Sequence, residues 1–249
     1  MSSIDLLVIG IAVIAGALVK SVTGMGLPLI ALPIISLFVT PETGIAVLAI
    51  PAIVQNVGIV STNWHARHDT RGLVSFCIAG GVGVVIGTLS LGAVPEQVTL
   101  IALNATVIAW LYQRLRNPDH RVPERHETKM SPLAGIIAGV FQGGSGVSGP
   151  VVAAWHQALR LPRDAFVFSI ATAFGLIGAA QTATLAAKGH LEGRLLVSLL
   201  ISAVVLASVP LGPPLRRRLS GTAFDRAVLT LVITSCISLS IDIIVSFLR

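Results

Sequence analysis

Two nine-residue stretches carry the side chains that could bind a ligand. Lys20–Pro28 reads KSVTGMGLP and Gln142–Pro150 reads QGGSGVSGP. Both interrupt apolar sequence with Gly, Ser and Thr, and both end in a proline followed by another apolar run. With the prolines matched, Thr23 meets Ser145, Gly24 meets Gly146 and Lys20 meets Gln142. The pattern reads as two copies of one broken-helix element inside a membrane. A helix that restarts after a break presents free backbone N–H groups and a partial positive charge. Glycine at the turn lets a ligand approach closely, and Ser or Thr adds hydroxyl donors. The chemistry expected of such a place is the binding of an anion.

Lys20 agrees with that sign. It is the one Lys or Arg in the first long apolar stretch, and an intramembrane charge is costly and by default functional. The competing reading is a lysine that snorkels to an interface. Of the eleven carboxylates, only Asp242 lies well inside an apolar run. A site for a cation or a proton relay usually shows Asp or Glu at mid-membrane, so the expected substrate is anionic. Amides at Gln55, Asn56 and Gln181 lie deep in apolar runs, where they either line the site or join helices. His156 either carries a proton or packs beside Trp155. The expected substrate contacts are Lys20, Ser21, Thr23, Gly24, Gly26 and Asn56 in the first half. In the second half they are Gln142, Gly144, Ser145, Gly146, Ser148 and Gln181.

The elements that must position these groups are membrane helices. The 249 residues are 54% hydrophobic and 11% charged, with a mean hydropathy of +0.88. A soluble domain carries about 25% charged residues, and here the apolar residues form long runs. Cys77 and Cys236 stand in separate runs without zinc-like spacing, so they read as small buried hydrophobes. The net charge of +6 sits in loops between apolar runs. That is a membrane-orientation signature and not a nucleic-acid footprint. The first residues lack a basic region ahead of the first run, which therefore reads as a permanent segment. No cofactor is expected.

In chain order the apolar runs cover about 4–19, 27–39, 44–63, 73–93 and 98–112, then 132–141, 151–159, 165–187, 195–211 and 223–247. The first two runs of each half are too short to span singly and too long to span together. They form two short spans or a re-entrant hairpin. Gly80, Gly81, Gly83 and Gly87 make the fourth run a helix-packing surface. The expected fold is an all-α polytopic membrane protein of about ten helical segments in two inverted repeats, each starting with a Gly-rich broken helix pair. The repeats are 1–113 and 132–249, joined by a cytoplasmic linker over 114–131.

Loop charge decides the inversion. Arg67 and Arg71 follow the third run, the loop near Pro95 has no Lys or Arg, and the linker carries five. Arg216, Arg217 and Arg218 follow the ninth run. If they share a side with Arg67, Arg71 and the linker, the halves are inverted and both termini lie outside. In a parallel arrangement the triple arginine would lie on the outer side.

At these residues the chain resembles the sulfite exporter TauE/SafE family of membrane transporters. The matches to its Gly-rich breaks are Gly16, Gly24, Gly26 and Pro28, then Gly139, Gly143, Gly144, Gly146, Gly149 and Pro150. Leu27 departs from the pattern, standing where a third glycine is often found. The similarity covers nearly the whole chain. It implies a secondary transporter that moves small sulfur-containing anions, sulfite or organosulfonates, outward across the plasma membrane, the bacterial inner membrane. It implies a multi-pass protein with lipid and a small anion as its partners, and it leaves a homodimer open.

Two other classes compete with a carrier. An anion channel would use the same breaks and differ in turnover. An intramembrane serine protease is suggested by GxSG at Gly143–Gly146 and Gly146–Gly149, but a nucleophilic serine needs a base within hydrogen-bond reach. His156 and His190 are the candidates, and neither spacing supplies one. A break duplicated in both halves suits a symmetric binding site better than a one-sided catalytic dyad.

Overall fold

The computed structural model describes residues 3–35, 37–39, 41–89, 96–116, 122–145, 148–187 and 195–248. Eleven α-helices are described within these residues: α1 (Ser3–Thr23), α2 (Leu27–Ile35), α3 (Pro41–Thr62), α4 (Leu73–Leu89), α5 (Glu96–Arg116), α6 (Glu124–Ser145), α7 (Gly149–Ala158), α8 (Arg163–Ala187), α9 (Leu195–Ser208), α10 (Gly212–Arg218) and α11 (Gly221–Leu248). Short 3-10 segments cover Trp64–Asp69 and Val209–Leu211. Among the described residues the fold is all-helical, that of a polytopic membrane protein, and three stretches, Arg163–Ala183, Leu195–Arg218 and Gly221–Ser238, are long and apolar enough to cross a bilayer by themselves.

The surface is inverted relative to a water-soluble protein. Val74, Ile78, Val82 and Val85 of α4 and Leu196, Leu199 and Leu200 of α9 are exposed, while Lys20, Gln55, Asn56, Asn63 and Arg216 are buried. Lipid chains solvate the first group as well as a protein core does. The second group needs hydrogen-bond partners that lipid does not offer.

Both breaks are helical hairpins. In the first, Gly24 and Gly26 take φ of +86° and +130°, values open to glycine and strained for other residues. The chain reverses there, so α2 lies back on α1. A Cβ on Gly16 of α1 would meet Leu27 O at 3.0 Å and Ile30 Cβ at 3.5 Å. In the second, α6 enters and α7 returns to the starting face, where Val122 N donates to Ala158 O at 3.1 Å.

Several short contacts define one charged face. Nε2 of His65 lies 3.2 Å from Asp164 Oδ2, Arg71 Nη1 lies 2.9 Å from Glu127 Oε1, and Arg160 Nη1 lies 3.7 Å from Asp225 Oδ2. Arg163 donates to Leu219 O at 2.7 Å. The end of α3, the starts of α4, α6, α8 and α11, and the ends of α7 and α10 therefore share a side. Because α3 ends where α8 begins, these corresponding helices run in opposite directions, as inverted halves require. The triple arginine lies on the side of Arg67 and Arg71.

The halves are interleaved. Helix α4 packs on α6 and α8, and α9 packs on α1 and α3, so each half's fourth segment rests on the other half's hairpin. The α4–α6 pair runs parallel with its backbones almost touching. A Cβ on Gly135 would collide with Phe76 O, one on Gly139 with Gly80 O, and one on Gly83 with Ile136 O. The glycine-rich fourth run is thus a packing surface through Gly80 and Gly83, whereas Gly81 has nothing within 4 Å.

Three boundaries differ from the sequence expectation. Helix α1 runs through Lys20 and Ser21 to Thr23, because buried partners on other helices receive those polar side chains. Helix α6 begins at Glu124, inside the stretch read as linker. There Glu127 accepts from Arg71, and the Ser131 hydroxyl returns to Glu127 O at 2.8 Å. Arg216–Arg218 close the helix α10, where a loop was expected, and Arg216 is buried.

Candidate functional site

Helix α3 carries Pro51, which lacks the N–H that would reach Val47 O. The hydroxyl of Ser198 on α9 donates to that carbonyl at 3.0 Å, so the irregular backbone is covered by a neighbour, as the bilayer interior demands. One residue beyond the proline, Ala52 O accepts from Lys20 Nζ at 3.3 Å.

The end of α1 is held by a polar cluster. Gln55 Nε2 donates to Ala17 O at 2.7 Å and lies 3.1 Å from Ser21 Oγ and 3.3 Å from Ser208 Oγ. The two serine hydroxyls are 3.0 Å apart. Gln55 thus ties the first hairpin to α3 and to the end of α9. Its own Oε1, and Asn56 Oδ1 on the next residue, are buried without a hydrogen-bond partner. Buried polar atoms usually have partners, and each exception calls for a cause such as a bound ligand or water.

Lys20 is 3% exposed. An ammonium has three donors, and one backbone carbonyl is its described partner. That is weak compensation for a buried charge. Thr23 behaves differently from the expectation of a free donor. Its Oγ1 lies 2.9 Å from Val19 O and 2.7 Å from Met25 O, so the hydroxyl closes the turn of its own chain. Beyond the turn, Ile30 N donates to Gly26 O at 3.0 Å, while the amides of Leu27 and Leu29 lie in the first helical turn without intrahelical acceptors.

In the second hairpin Ser148 is buried and precedes α7, donating to Gln142 Oε1 at 2.6 Å. Gln142 Nε2 in turn donates to Gln181 Oε1 on α8 at 2.8 Å. Gly144 and Ser145 end α6, and Gly146 lies outside the described residues.

Helix α8 is the wall that both breaks share. A Cβ on Gly24 would meet Ile170 at 3.2 Å, Gly149 faces the Phe174 ring at 3.9 Å, and Gly175 faces Asn56 Cβ at 3.6 Å. These contacts fall within five residues of α8, about 8 Å along its axis. Lys20, Ser21 and Asn56 thus form one group, and Gln142, Ser148 and Gln181 a second.

Arg216 escaped the sequence reading, which counted it as a loop charge. It is 1% exposed. Its Nε donates to Asp164 Oδ1 at 2.9 Å, its Nη1 approaches Val22 O at 3.1 Å and Ser21 O at 3.4 Å, and its Nη2 donates to Asn63 Oδ1. Ser208 was missed as well. The available signal was its place one residue before Val209-Pro210, where a helix end frees backbone groups.

The histidine alternatives resolve into packing for His156. It is buried, its Nδ1 donates to Val152 O of its own helix at 2.8 Å, and its ring meets Phe76 edge-on at 4.9 Å. The described partner of the Ser148 hydroxyl is Gln142, and His190 lies outside the described residues. A separate cavity of about 200 Å³ opens on the charged face beside Gln157, Arg160, Arg163 and Asp225. His156 also lines it, and none of the expected substrate contacts does.

A family model described as Sulfite exporter TauE/SafE matches residues 8–239. No curated protein and no solved structure matches the chain.

Proposed function

The chain belongs to the sulfite exporter TauE/SafE family, and from that premise we propose that it carries a small sulfur-containing oxyanion, sulfite or an organosulfonate, outward across the bacterial inner membrane by alternating access. The observation that carries the reading is Lys20. It is a buried ammonium at the tip of a broken helix, with a backbone carbonyl as its described partner. An oxyanion there would neutralise the charge and receive its remaining donors. The first-turn amides of α2 supply neutral donors, and Gln142, Ser148 and Gln181 complete the far side. The charged face is the cytoplasmic one, from the excess of arginine on it. Outward movement of an anion can run on the membrane potential, at about 2.3 kcal/mol per charge per 100 mV.

The test is a thermal-unfolding screen of the detergent-purified protein with sulfite, thiosulfate, alkyl sulfonates and carboxylates. A ligand that binds the folded state raises the unfolding temperature, and the rise grows with the logarithm of its concentration above Kd. Sulfite or a sulfonate is expected to do so, and carboxylates much less. A flat response to every sulfur oxyanion would remove the proposal.

A further inference from the structure

We propose that Arg216 is a positioning residue for transport, a latch that closes the charged-face approach to the tip of the first hairpin and must let go for that approach to open. The proposal rests on the carrier reading above.

Three features of the geometry carry it. The first is where the bonds lead. Helix α1 ends at Thr23, so the carbonyls of Ser21 and Val22 lack the usual amide four residues on. Met25 N lies 3.4 Å from Thr23 Oγ1 instead. The Arg216 guanidinium caps these carbonyls at the negative end of the helix, where a cation is favoured. It also holds Asn63 at the end of α3. These partners all belong to the first half, while Asp164, which receives Nε, belongs to the second. If the approach opens by α10 drawing away from the last turn of α1 while staying on α8, the Ser21, Val22 and Asn63 bonds are the ones that break. Asp164 keeps the guanidinium paired while they are broken.

The second feature is fit. A Cβ on Gly212 would collide with Ser21 O, so α10 is pressed directly against the last turn of α1, beside Lys20. Nothing wider than a hydrogen bond separates the basic helix from the hairpin tip. The third is the contrast with Lys20. Arg216 already has acceptors on four residues, so it offers little to an anion, whereas Lys20 has one described carbonyl. The two buried cations have different work: one is saturated by protein and the other is not.

The test measures access at the tip in a way that does not need transport. Val22→Cys is introduced with Cys77→Ala and Cys236→Ala, the protein is placed in lipid nanodiscs, and labelling by a hydrophilic maleimide is timed. Arg216→Gln is expected to raise the labelling rate at least tenfold, with Arg216→Lys between the two. Where Arg216→Gln does not give folded protein, Asn63→Ala removes one bond between the halves and is expected to raise the rate about threefold. Unchanged labelling in a folded Arg216→Gln protein would overturn the latch, even if sulfite binds. Faster labelling with no sulfite binding in the parent protein would uphold the latch and overturn the choice of cargo.

Discussion

Gln142 on α6 and Gln181 on α8 are hydrogen-bonded side chain to side chain, Nε2 to Oε1 at 2.8 Å. The same Gln142 accepts from Ser148 at 2.6 Å. One amide therefore joins the outgoing helix of the second hairpin, the residue that precedes its return helix, and the shared wall α8. Gln142→Leu removes partners on both sides. Each buried polar group left unpaired costs about 1–3 kcal/mol, and the unfolding temperature should fall. In a double-mutant cycle with Gln181→Leu, the second substitution should cost less than it does alone, with a coupling of about 0.5–3 kcal/mol. Additive losses would mean that the pair is not a unit.

Lys20→Met removes the buried charge and keeps most of the side-chain volume. Because the ammonium has one described carbonyl partner, stability without ligand should change by less than about 1 kcal/mol. The ligand response should vanish. At a sulfite concentration one hundred times its Kd, the parent gains about 2.7 kcal/mol, and the variant should gain nothing measurable. An unfolding curve for Lys20→Met that still shifts with sulfite would place the anion elsewhere.

Gly139→Val should be among the most damaging single changes. Its Cβ would strike Gly80 O and lie 2.8 Å from Val84 N, and two helix backbones would have to part. Overpacking of this kind costs about 1–3 kcal/mol or more. Gly81→Val, on the facing helix α4 with nothing within 4 Å, is the control and should unfold like the parent. Similar losses at both sites would show that helix propensity and not backbone contact governs this helix pair.

Ser198→Ala should destabilise through a proline on another helix. The Ser198 hydroxyl supplies the donor that Pro51 withholds from Val47 O, and an unpaired carbonyl inside the bilayer costs about 1–3 kcal/mol. In a Pro51→Ala background the helix amide can take over, so the same substitution should then cost little. Thermal unfolding of the four proteins of the cycle measures the difference, and an equal cost in both backgrounds would break the link.

The legible part of the site was the set of interruptions. Gly24, Gly26 and Gly149 stand at the turns where the repeat of Gly, Ser and Pro put them. Asn56, Gln142 and Gln181 face α8 or lie on it. Thr23 was legible as a turn residue but not as one whose hydroxyl closes on Val19 and Met25. Lys20 and Ser21 were read as part of the break, yet they complete the last turn of α1. A lysine in a bilayer helix is tolerable only when a neighbour offers an acceptor, and Ala52 comes from thirty-two residues away. Arg216 was counted as an orientation charge because arginine clusters usually face water. Its acceptors lie up to 195 residues away in the chain.

The sequence alone determined that the chain lives in a bilayer, that it breaks twice in matching places, and that glycine lets the fourth segment approach a neighbour. Apolar run length, loop charge and backbone permissiveness are local quantities, and their free energies do not depend on which helix lies alongside. Only the tertiary structure decided which carbonyl each buried donor meets, and so which cation is capped on four residues and which has one described carbonyl. A hydrogen bond acts over about 3 Å, and no spacing along the chain announces which distant helix will come within that reach.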